Sequence, residues 1–328
     1  MKYSILLPVT PARPEQAVLF ANLVQWTAAE RLWQGQSLVL DSHHLATWLA
    51  GIGVRVPMGF GVSLMPLRSP YQAAFEARSV ALATGHPVVA GFGPGPVSFQ
   101  EAVLGRPYAR PLQASREYAT VVRQLVSGAD AAVEGQYFSV AARLLKRPAP
   151  PVEVGLGVLR PKMAALAGEV ADRAITWLLP AAHLAGTVIP AVRGADRTLG
   201  TPARTTAIVP VAVARAGRDA TALAEATCGN HLKAAHYQDA LRKAGIPVSE
   251  RGDAQDAALV VDAGAFLYGT EDQIHERLAE FAAAGVDEVV LNTTGVAQLH
   301  GPKAAAQDLL QLLGGVRGGS AAETGPVF

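Results

Sequence analysis

The sequence has very little cysteine and no excess of charge of either sign. Cys228 is the single cysteine, so an internal disulfide is excluded and a reducing compartment is the expected environment. The 28 Lys and Arg residues nearly balance the 27 Asp and Glu residues, and no run of Lys or Arg concentrates positive charge. This balance argues against nucleic acid as a partner, because binding nucleic acid requires a basic surface.

Long hydrophobic runs are also absent. The N-terminal stretch MKYSILLPVTPARP contains an apolar segment that is too short for a signal peptide and is ended by proline. No segment approaches the length that a membrane-spanning helix needs. We therefore expect a cytoplasmic protein with no membrane partner.

Short apolar segments alternate with longer amphipathic or alanine-rich segments along most of the chain. Eight apolar segments are predicted as strands, at residues 3–9, 31–36, 56–65, 87–93, 152–158, 174–179, 206–214 and 288–293. Near-continuous apolar strands that alternate with helices are typical of parallel strands buried on both faces. The sequence therefore predicts an α/β protein, a closed (β/α)8 TIM barrel with insertions. A doubly wound open sheet is the alternative.

The domain organisation follows from the absence of internal repeats and linkers. Residues 1–315 are predicted to form a single domain. Residues 316–328 contain few large apolar side chains, so they are predicted to form a flexible C-terminal tail.

The stretch GVLRPKMAALAGEVAD (157–172) directly follows the fifth predicted strand. Pro161 suits a first helical turn, because its missing N–H would have no partner there anyway. The corner combines free backbone N–H groups at the positive end of a helix with the cationic side chains of Arg160 and Lys162. An anion is the ligand that this chemistry favours, and a solvated helix start is the structural alternative.

Four segments of the chain together resemble a known family. They are MGFGVSLMPLRSPYQAAFEARSVALATG (58–85), GRPYARPLQASREYATVVRQLVSG (105–128), PPVEVGLGVLRPKMAALAGEVADRAITWLLP (150–180) and GTEDQIHERLAEFAAAGVDEVV (269–290). In this order they are similar to the bacterial-luciferase-like superfamily of flavin and deazaflavin oxidoreductases. The third segment resembles the branch that uses coenzyme F420. The resemblance implies a luciferase-like barrel, whose chemistry lies at the carboxyl ends of the strands.

The resemblance also implies a cofactor, reduced coenzyme F420, with FMN as the alternative. In the family, third-strand backbone beside a bulge, often with a non-prolyl cis peptide, contacts the central ring of the cofactor. Backbone N–H groups of the fifth-strand corner would hold the phosphate of its side chain. The predicted cofactor-binding residues are Gln36, Gly61, Val62, Ser63, Met65, Gly91, Gly93, Gly157, Val158, Leu159, Arg160, Pro161, Lys162, Met163 and Trp177.

No metal site is predicted. His231 and His236 lie in a helical zone but are five residues apart, which is not the i, i+4 spacing of a helical metal pair.

Two positions depart from the family members that oxidise alcohols. Those members carry an acid and a histidine after the second strand and a carboxylate after the fourth, where this chain has Gln36-Ser37 and Pro94-Gly95-Pro96. Neither replacement can take a proton from an alcohol at neutral pH. The predicted catalytic residues are Gln36, Ser37, His43 and His44, with either histidine, near the rim at the start of the second helix, as a candidate proton donor. At most one of the two histidines is expected to face the pocket, since adjacent helical residues point about 100° apart.

The sequence thus predicts a reductase that transfers a hydride from reduced coenzyme F420 to an electron-poor C=C or C=N bond. The substrate is expected to be a small molecule or a peptide biosynthetic intermediate. Two alternatives stay open, an FMN-dependent monooxygenase supplied by a separate flavin reductase and a non-catalytic flavin-type binding barrel. A homodimer is expected from the family, with alanine-rich faces at 14–30 and 70–84 as candidate surfaces.

Overall fold

A computed structural model of the chain describes residues 1–197 and 200–315. Within these ranges eight parallel strands form a closed barrel, Lys2–Leu6, Leu32–Gln34, Met58–Leu64, Val88–Gly93, Val152–Val158, Arg173–Trp177, Arg204–Val213 and Glu288–Asn292. Each strand pairs with the next one in this order, and the eighth pairs with the first. The predicted TIM barrel is confirmed, and every predicted strand is present. The closed ring rules out the open sheet.

Helices connect the strands and cover the outside of the barrel. They are Val18–Trp26, Ser42–Gly51, Pro70–Thr84, Val97–Leu104, Pro111–Val126, Pro161–Val170, Ala181–His183, Ile189–Arg193, Ala220–Leu232, Ala235–Lys243, Ala254–Asp262, Glu271–Ala284, Thr294–His300 and Pro302–Leu312. Short 3-10 helices at Pro14–Ala17 and Met65–Leu67 and a π-helical segment at Leu184–Val188 complete the set. No helix in the described ranges has both the length and the hydropathy needed to cross a bilayer.

Three short strands were not predicted from the sequence. Ala131–Val133 and Val140–Ala142 pair antiparallel with each other, outside the barrel. Leu267–Gly269 pairs in parallel with the end of the seventh barrel strand. Segments of three residues are too short to show a period of two, which is why the pattern missed them.

Apolar side chains pack in two separate layers. The larger layer lies between the barrel and its helices, as expected when both faces of a parallel sheet are buried. The smaller layer fills the barrel itself and is made by Trp33, Val89, Ile175, Ile208 and Val290. The barrel interior is therefore a packed core rather than a channel.

A charged network closes the amino-terminal end of the barrel beneath this apolar layer. The Glu288 carboxylate accepts hydrogen bonds from Ser4 Oγ (2.6 Å), Arg31 Nε (3.1 Å), Trp33 Nε1 (2.8 Å) and Arg173 Nη1 (2.6 Å). Burial by itself would raise the pKa of Glu288, but the two guanidinium groups and the hydrogen bonds outweigh it and lower the pKa. Each of these side chains is nearly inaccessible to solvent, so the network belongs to the structural end of the barrel.

Helix boundaries follow local capping chemistry. Thr270 and Gln273 form a capping box at the start of the helix Glu271–Ala284, with Gln273 Oε1 accepting from Thr270 N at 2.9 Å. The helix ends at Gly285, whose φ of 94° suits glycine. The predicted tail at 316–328 lies outside the described residues, and the division into one domain and a tail stays a prediction.

Candidate active site

The third strand carries an irregularity at its carboxyl end. Its register with the fourth strand shifts between Phe60 and Ser63, which marks a bulge, and the Gly61–Val62 peptide bond is cis. Both features were expected from the resemblance. The glycines here also have a packing reason, because a Cβ on Gly59 would lie 2.4 Å from the Trp33 ring.

Glycines on the fourth and fifth strands line the barrel at two depths. A Cβ on Gly91 would lie 2.3 Å from a backbone oxygen, and one on Gly155 would lie 2.6 Å from an isoleucine side chain. These two glycines are therefore required by packing. Nearer the rim, a Cβ on Gly93 or Gly157 would meet only the Val62 side chain or, at 3.8 Å on Gly157, a carbonyl oxygen. This upper pair places no side chain beside Val62 at the carboxyl ends of the two strands, so a flat ring could approach the backbone there.

The fifth-strand corner is open to solvent. The helix starts at Pro161 as predicted, and no side chain caps its first turn. Arg160, Pro161 and Lys162 are exposed. Arg160 Nη2 contacts Asp239 Oδ2 at 2.8 Å, whereas Lys162 makes no ion pair with any residue that the structure describes. The corner thus offers uncapped N–H groups and one unpaired cation on the carboxyl rim.

Gln36 and Ser37 stabilise the loop after the second strand. Gln36 Oε1 accepts from Leu64 N at 3.3 Å, and Gln36 Nε2 donates to the carbonyl oxygen of Ser37 at 2.7 Å. Ser37 Oγ accepts from the N–H groups of Val39 and Leu40. Gln36 therefore lies beside the third-strand bulge, while the hydroxyl of Ser37 stabilises the turn that follows it.

An aromatic wall stands on the same rim, formed by Trp177, His231 and Tyr237. The rings of Trp177 and His231 are 5.1 Å apart between centroids, and those of His231 and Tyr237 are 4.9 Å apart and nearly perpendicular. Burial and then the nearby His236 lower the pKa of His231 to about 4. Burial raises the pKa of Tyr237 to about 12. The wall is therefore uncharged near neutral pH.

A family model described as luciferase-like monooxygenase matches residues 1–288. The chain belongs to the luciferase-like monooxygenase family. This membership confirms the predicted family and the prediction of an oxidoreductase.

Two curated proteins are similar in sequence to part of this luciferase-like protein. An F420-dependent glucose-6-phosphate dehydrogenase of Nakamurella multipartita is 32% identical over 157 residues, covering 44% of this chain and 45% of the relative. A 5,10-methylenetetrahydromethanopterin reductase of Methanolobus tindarius is 26% identical over 132 residues, 40% of each chain. The chain thus matches less than half the length of these relatives.

Solved structures share the whole fold at low identity. The coenzyme F420 dependent tetrahydromethanopterin reductase from Methanopyrus kandleri has a TM-score of 0.70 at 17% identity, and the match covers 95% of this chain and 97% of that one. An F420-dependent secondary alcohol dehydrogenase, in complex with an F420-acetone adduct, has a TM-score of 0.75 at 15% identity with the same coverage. An EDTA monooxygenase from Chelativorans has a TM-score of 0.70 at 16% identity, covering 96% and 92%. At these identities the likeness shows the fold alone.

His43 of the luciferase-like protein lies outside the barrel, contrary to the expectation that it borders the pocket. Its ring stacks on Phe60 at 4.2 Å, and Phe60 packs in the layer between barrel and helices. His43 Nδ1 is 3.6 Å from Asp41 Oδ1 and 3.9 Å from Glu76 Oε2, and Arg68 bridges these two carboxylates at 2.8 Å each. His43 is thus one member of a buried network that anchors the second helix.

His44 is exposed on the outer surface of the same helix, and its N–H donates to the capping Asp41 carboxylate at 3.1 Å. We therefore retain neither His43 nor His44 as the proton donor. The sequence indicated the start of the helix correctly but not that its first turn packs against the third strand.

The other residues predicted to bind the cofactor differ in how exposed their side chains are. Met65 and Val158 are buried in the layer between barrel and helices, so their side chains point away from the mouth. Leu159 and Met163 are half-buried at the corner. The contact between the His231 and Tyr237 rings was not predicted, because the two residues come from two helices joined at Lys233-Ala234 and no local spacing predicts that their rings meet.

Two other features were considered in the described residues, and neither indicates a functional site. No group of three or more His, Cys, Asp or Glu side chains in 1–197 and 200–315 is arranged to hold a metal ion. A surface pocket at the amino-terminal end of the barrel is lined by charged side chains that pair with each other, Arg123 with Asp172 and Arg204 with Glu153.

Proposed function

We propose that this protein is a reductase that uses reduced coenzyme F420 to transfer a hydride to an electron-poor C=C or C=N bond of a small molecule or a peptide intermediate. The observation that carries the proposal is the fifth-strand corner, an uncapped helix start with the unpaired Lys162 on the carboxyl rim. The F420-dependent relative supports the choice of cofactor.

The residues at the mouth fit such a cofactor. Gly93 and Gly157 contribute no side chain next to Val62, beside the Gly61–Val62 bulge, so nothing of theirs would stand between the backbone and a flat ring. In this proposal the ring system lies against Gly61, Val62, Ser63, Gly93 and Trp177, with Gln36 at its edge. The phosphate binds the backbone of 157–163 together with Lys162. When bound, the reduced deazaflavin supplies a hydride.

The side chains at the mouth favour reduction over alcohol oxidation. Gln36 holds the second-strand loop through its amide and cannot accept a proton at neutral pH. Pro94-Gly95-Pro96 supplies no carboxylate after the fourth strand. Hydride addition to an activated double bond needs alignment and a proton from solvent, and the chain provides the alignment.

A side-by-side titration tests the proposal. Purified protein is expected to bind F420 with a micromolar dissociation constant, measured by deazaflavin fluorescence, and to bind FMN at least tenfold more weakly. Tighter binding of FMN, with oxygen consumption when reduced FMN and substrate are supplied, would establish the monooxygenase instead. Binding without turnover on a panel of enones, imines and dehydroamino acids would favour the non-catalytic barrel.

The role of Lys162 gives a first testable prediction. Changing Lys162 to Glu places a negative charge beside the phosphate site, so the dissociation constant of F420 is expected to rise about tenfold, or about 1.4 kcal/mol. The deazaflavin chromophore without its phosphate should bind the variant and the wild type equally. A matched change of Lys303, exposed at the start of the last helix, to Glu is the control. Equal weakening of both ligands would contradict a phosphate role.

Assembly as a homodimer is also proposed, with the cytoplasm as the expected location. Helix Pro70–Thr84 exposes Tyr71, Phe75 and Leu82, which lie on one face at helical spacing. Changing Phe75 to Glu is expected to convert a dimer into a monomer in light-scattering chromatography, because a charge would be buried at the interface. Leu299→Glu, on a helix far along the chain, is the control and should leave the mass unchanged. A wild-type protein with the mass of a monomer would refute the proposed homodimer.

A further inference from the structure

The aromatic wall lies on the rim that the proposed cofactor site uses. Trp177 ends the sixth strand and packs against the apolar layer inside the barrel. Tyr237 is two residues before Asp239 on the same helix, and Asp239 contacts Arg160 of the fifth-strand corner. The helix Ala235–Lys243 therefore connects the corner to the wall.

The wall offers no charge to a ligand. His231 is neutral at pH 7, and Tyr237 keeps its proton. Burial and the nearby Arg160 also lower the pKa of His236. The ring centroids of His236 and Tyr237 are 4.5 Å apart. The guanidinium of Arg160 is paired with Asp239. None of the three side chains that form the wall is charged at neutral pH, so the wall itself suits an uncharged group.

Two polar atoms of the wall lack partners. Trp177 Nε1 and His231 Nδ1 are both buried and make no hydrogen bond with the part of the chain that is described. A buried polar atom without a partner destabilises the folded state, so a native structure that retains one calls for a reason such as a ligand. Indole N–H can only donate, so it selects an acceptor such as a carbonyl oxygen.

We propose that the aromatic wall is the substrate subsite and that it binds a planar, uncharged, conjugated ring attached to the bond to be reduced. His231 and Tyr237 contact the ring, and Trp177 Nε1 donates a hydrogen bond to its carbonyl or equivalent acceptor. The inference rests on the proposed function and narrows its substrate class to aryl-conjugated carbonyl compounds.

A binding experiment tests the wall without turnover. The chain has four tryptophans, so the indole N–H signals of 15N-labelled protein are few, and Trp177→Phe assigns the one of interest. Adding 4-phenylbut-3-en-2-one is expected to shift the Trp177 signal and leave the signal of the exposed Trp26 unchanged. Glucose 6-phosphate should shift neither. A Trp177 signal that stays fixed with the aryl enone, both with and without F420, would overturn the inference.

Deazaflavin fluorescence is recorded on the same samples. If F420 binds but adding the enone does not move the Trp177 signal any further, the wall alone is contradicted. Absence of F420 binding would contradict the proposed function. The two failures are therefore distinguishable.

Variant kinetics provide a second test. In His231→Ala the kcat/KM for 4-phenylbut-3-en-2-one is expected to fall about tenfold, mainly through KM, while that for cyclohex-2-en-1-one changes less than twofold. His183→Ala is the matched control, since burial also lowers the pKa of His183 but its ring lies outside the wall. His231→Phe keeps the packing if the alanine variant is unstable, and should retain most of the aryl preference. An unchanged ratio of the two substrates in His231→Ala would refute the subsite.

Discussion

Changing Glu288 to alanine is expected to lower the free energy of unfolding by about 3–5 kcal/mol, measured by urea denaturation. The carboxylate is 1% exposed and accepts hydrogen bonds from Ser4, Arg31, Trp33 and Arg173. Removing it leaves two buried guanidinium groups close together with less compensating charge. The apolar layer of the barrel rests directly on this network through Trp33, so the loss extends to the packing above it.

The effect of Glu288 should depend on pH in a defined direction. Because the folded state lowers the pKa of the carboxyl, the contribution is complete above the unfolded pKa of about 4.3 and is lost as pH falls through the lower folded value. The difference between wild type and variant should therefore shrink below about pH 4. Glu280→Ala is the control, because its exposed pair with Arg277 contributes at most about 0.5 kcal/mol. A Glu288 variant as mild as this control would contradict the structural role of the network.

The sequence predicted the barrel well because its strands carry a strong signal. Residues 152–158 match the observed fifth strand at both ends, since this mostly apolar segment is bounded by proline and by the corner. The short second strand, Leu32–Gln34, was also found, because Leu32 and Trp33 are surrounded by polar residues. In both strands the apolar side chains that are buried on the two faces of the sheet belong to residues adjacent in the sequence, so the pattern is visible locally.

The candidate site was only partly predictable, because it depends on which face of an element meets the mouth. The corner at Arg160–Met163 was found from local chemistry alone, since proline, cations and a helix start are adjacent in sequence. His43 failed for the opposite reason. Its place under Phe60 is set by the alternation of the third strand around a bulge, and the sequence of the second helix does not contain that information.

Changing Gly157 to valine is expected to raise the dissociation constant of F420 about 100-fold, or about 2.7 kcal/mol. The valine Cβ would lie 3.3 Å from the Val62 side chain, and its methyl groups would extend into the space at the mouth. Gly157 does not have a positive φ, so a β-branched residue suits the strand conformation. The protein should therefore remain folded while the proposed ring site is filled.

Two other glycine variants separate this effect from damage to the fold. Gly91→Ala places a Cβ 2.3 Å from the backbone oxygen of Phe60, so it should lower the unfolding temperature strongly, unlike Gly157→Val. Gly51→Ala, at an exposed helix end with no heavy atom within 4 Å of the new Cβ, should change neither stability nor binding. Calorimetry and F420 fluorescence titration of the three variants give both quantities. If the corner holds the phosphate of F420, the deazaflavin ring must lie on the rim beside residue 157. A folded Gly157→Val protein that binds F420 with wild-type affinity would therefore refute the placement of the cofactor across the fifth strand.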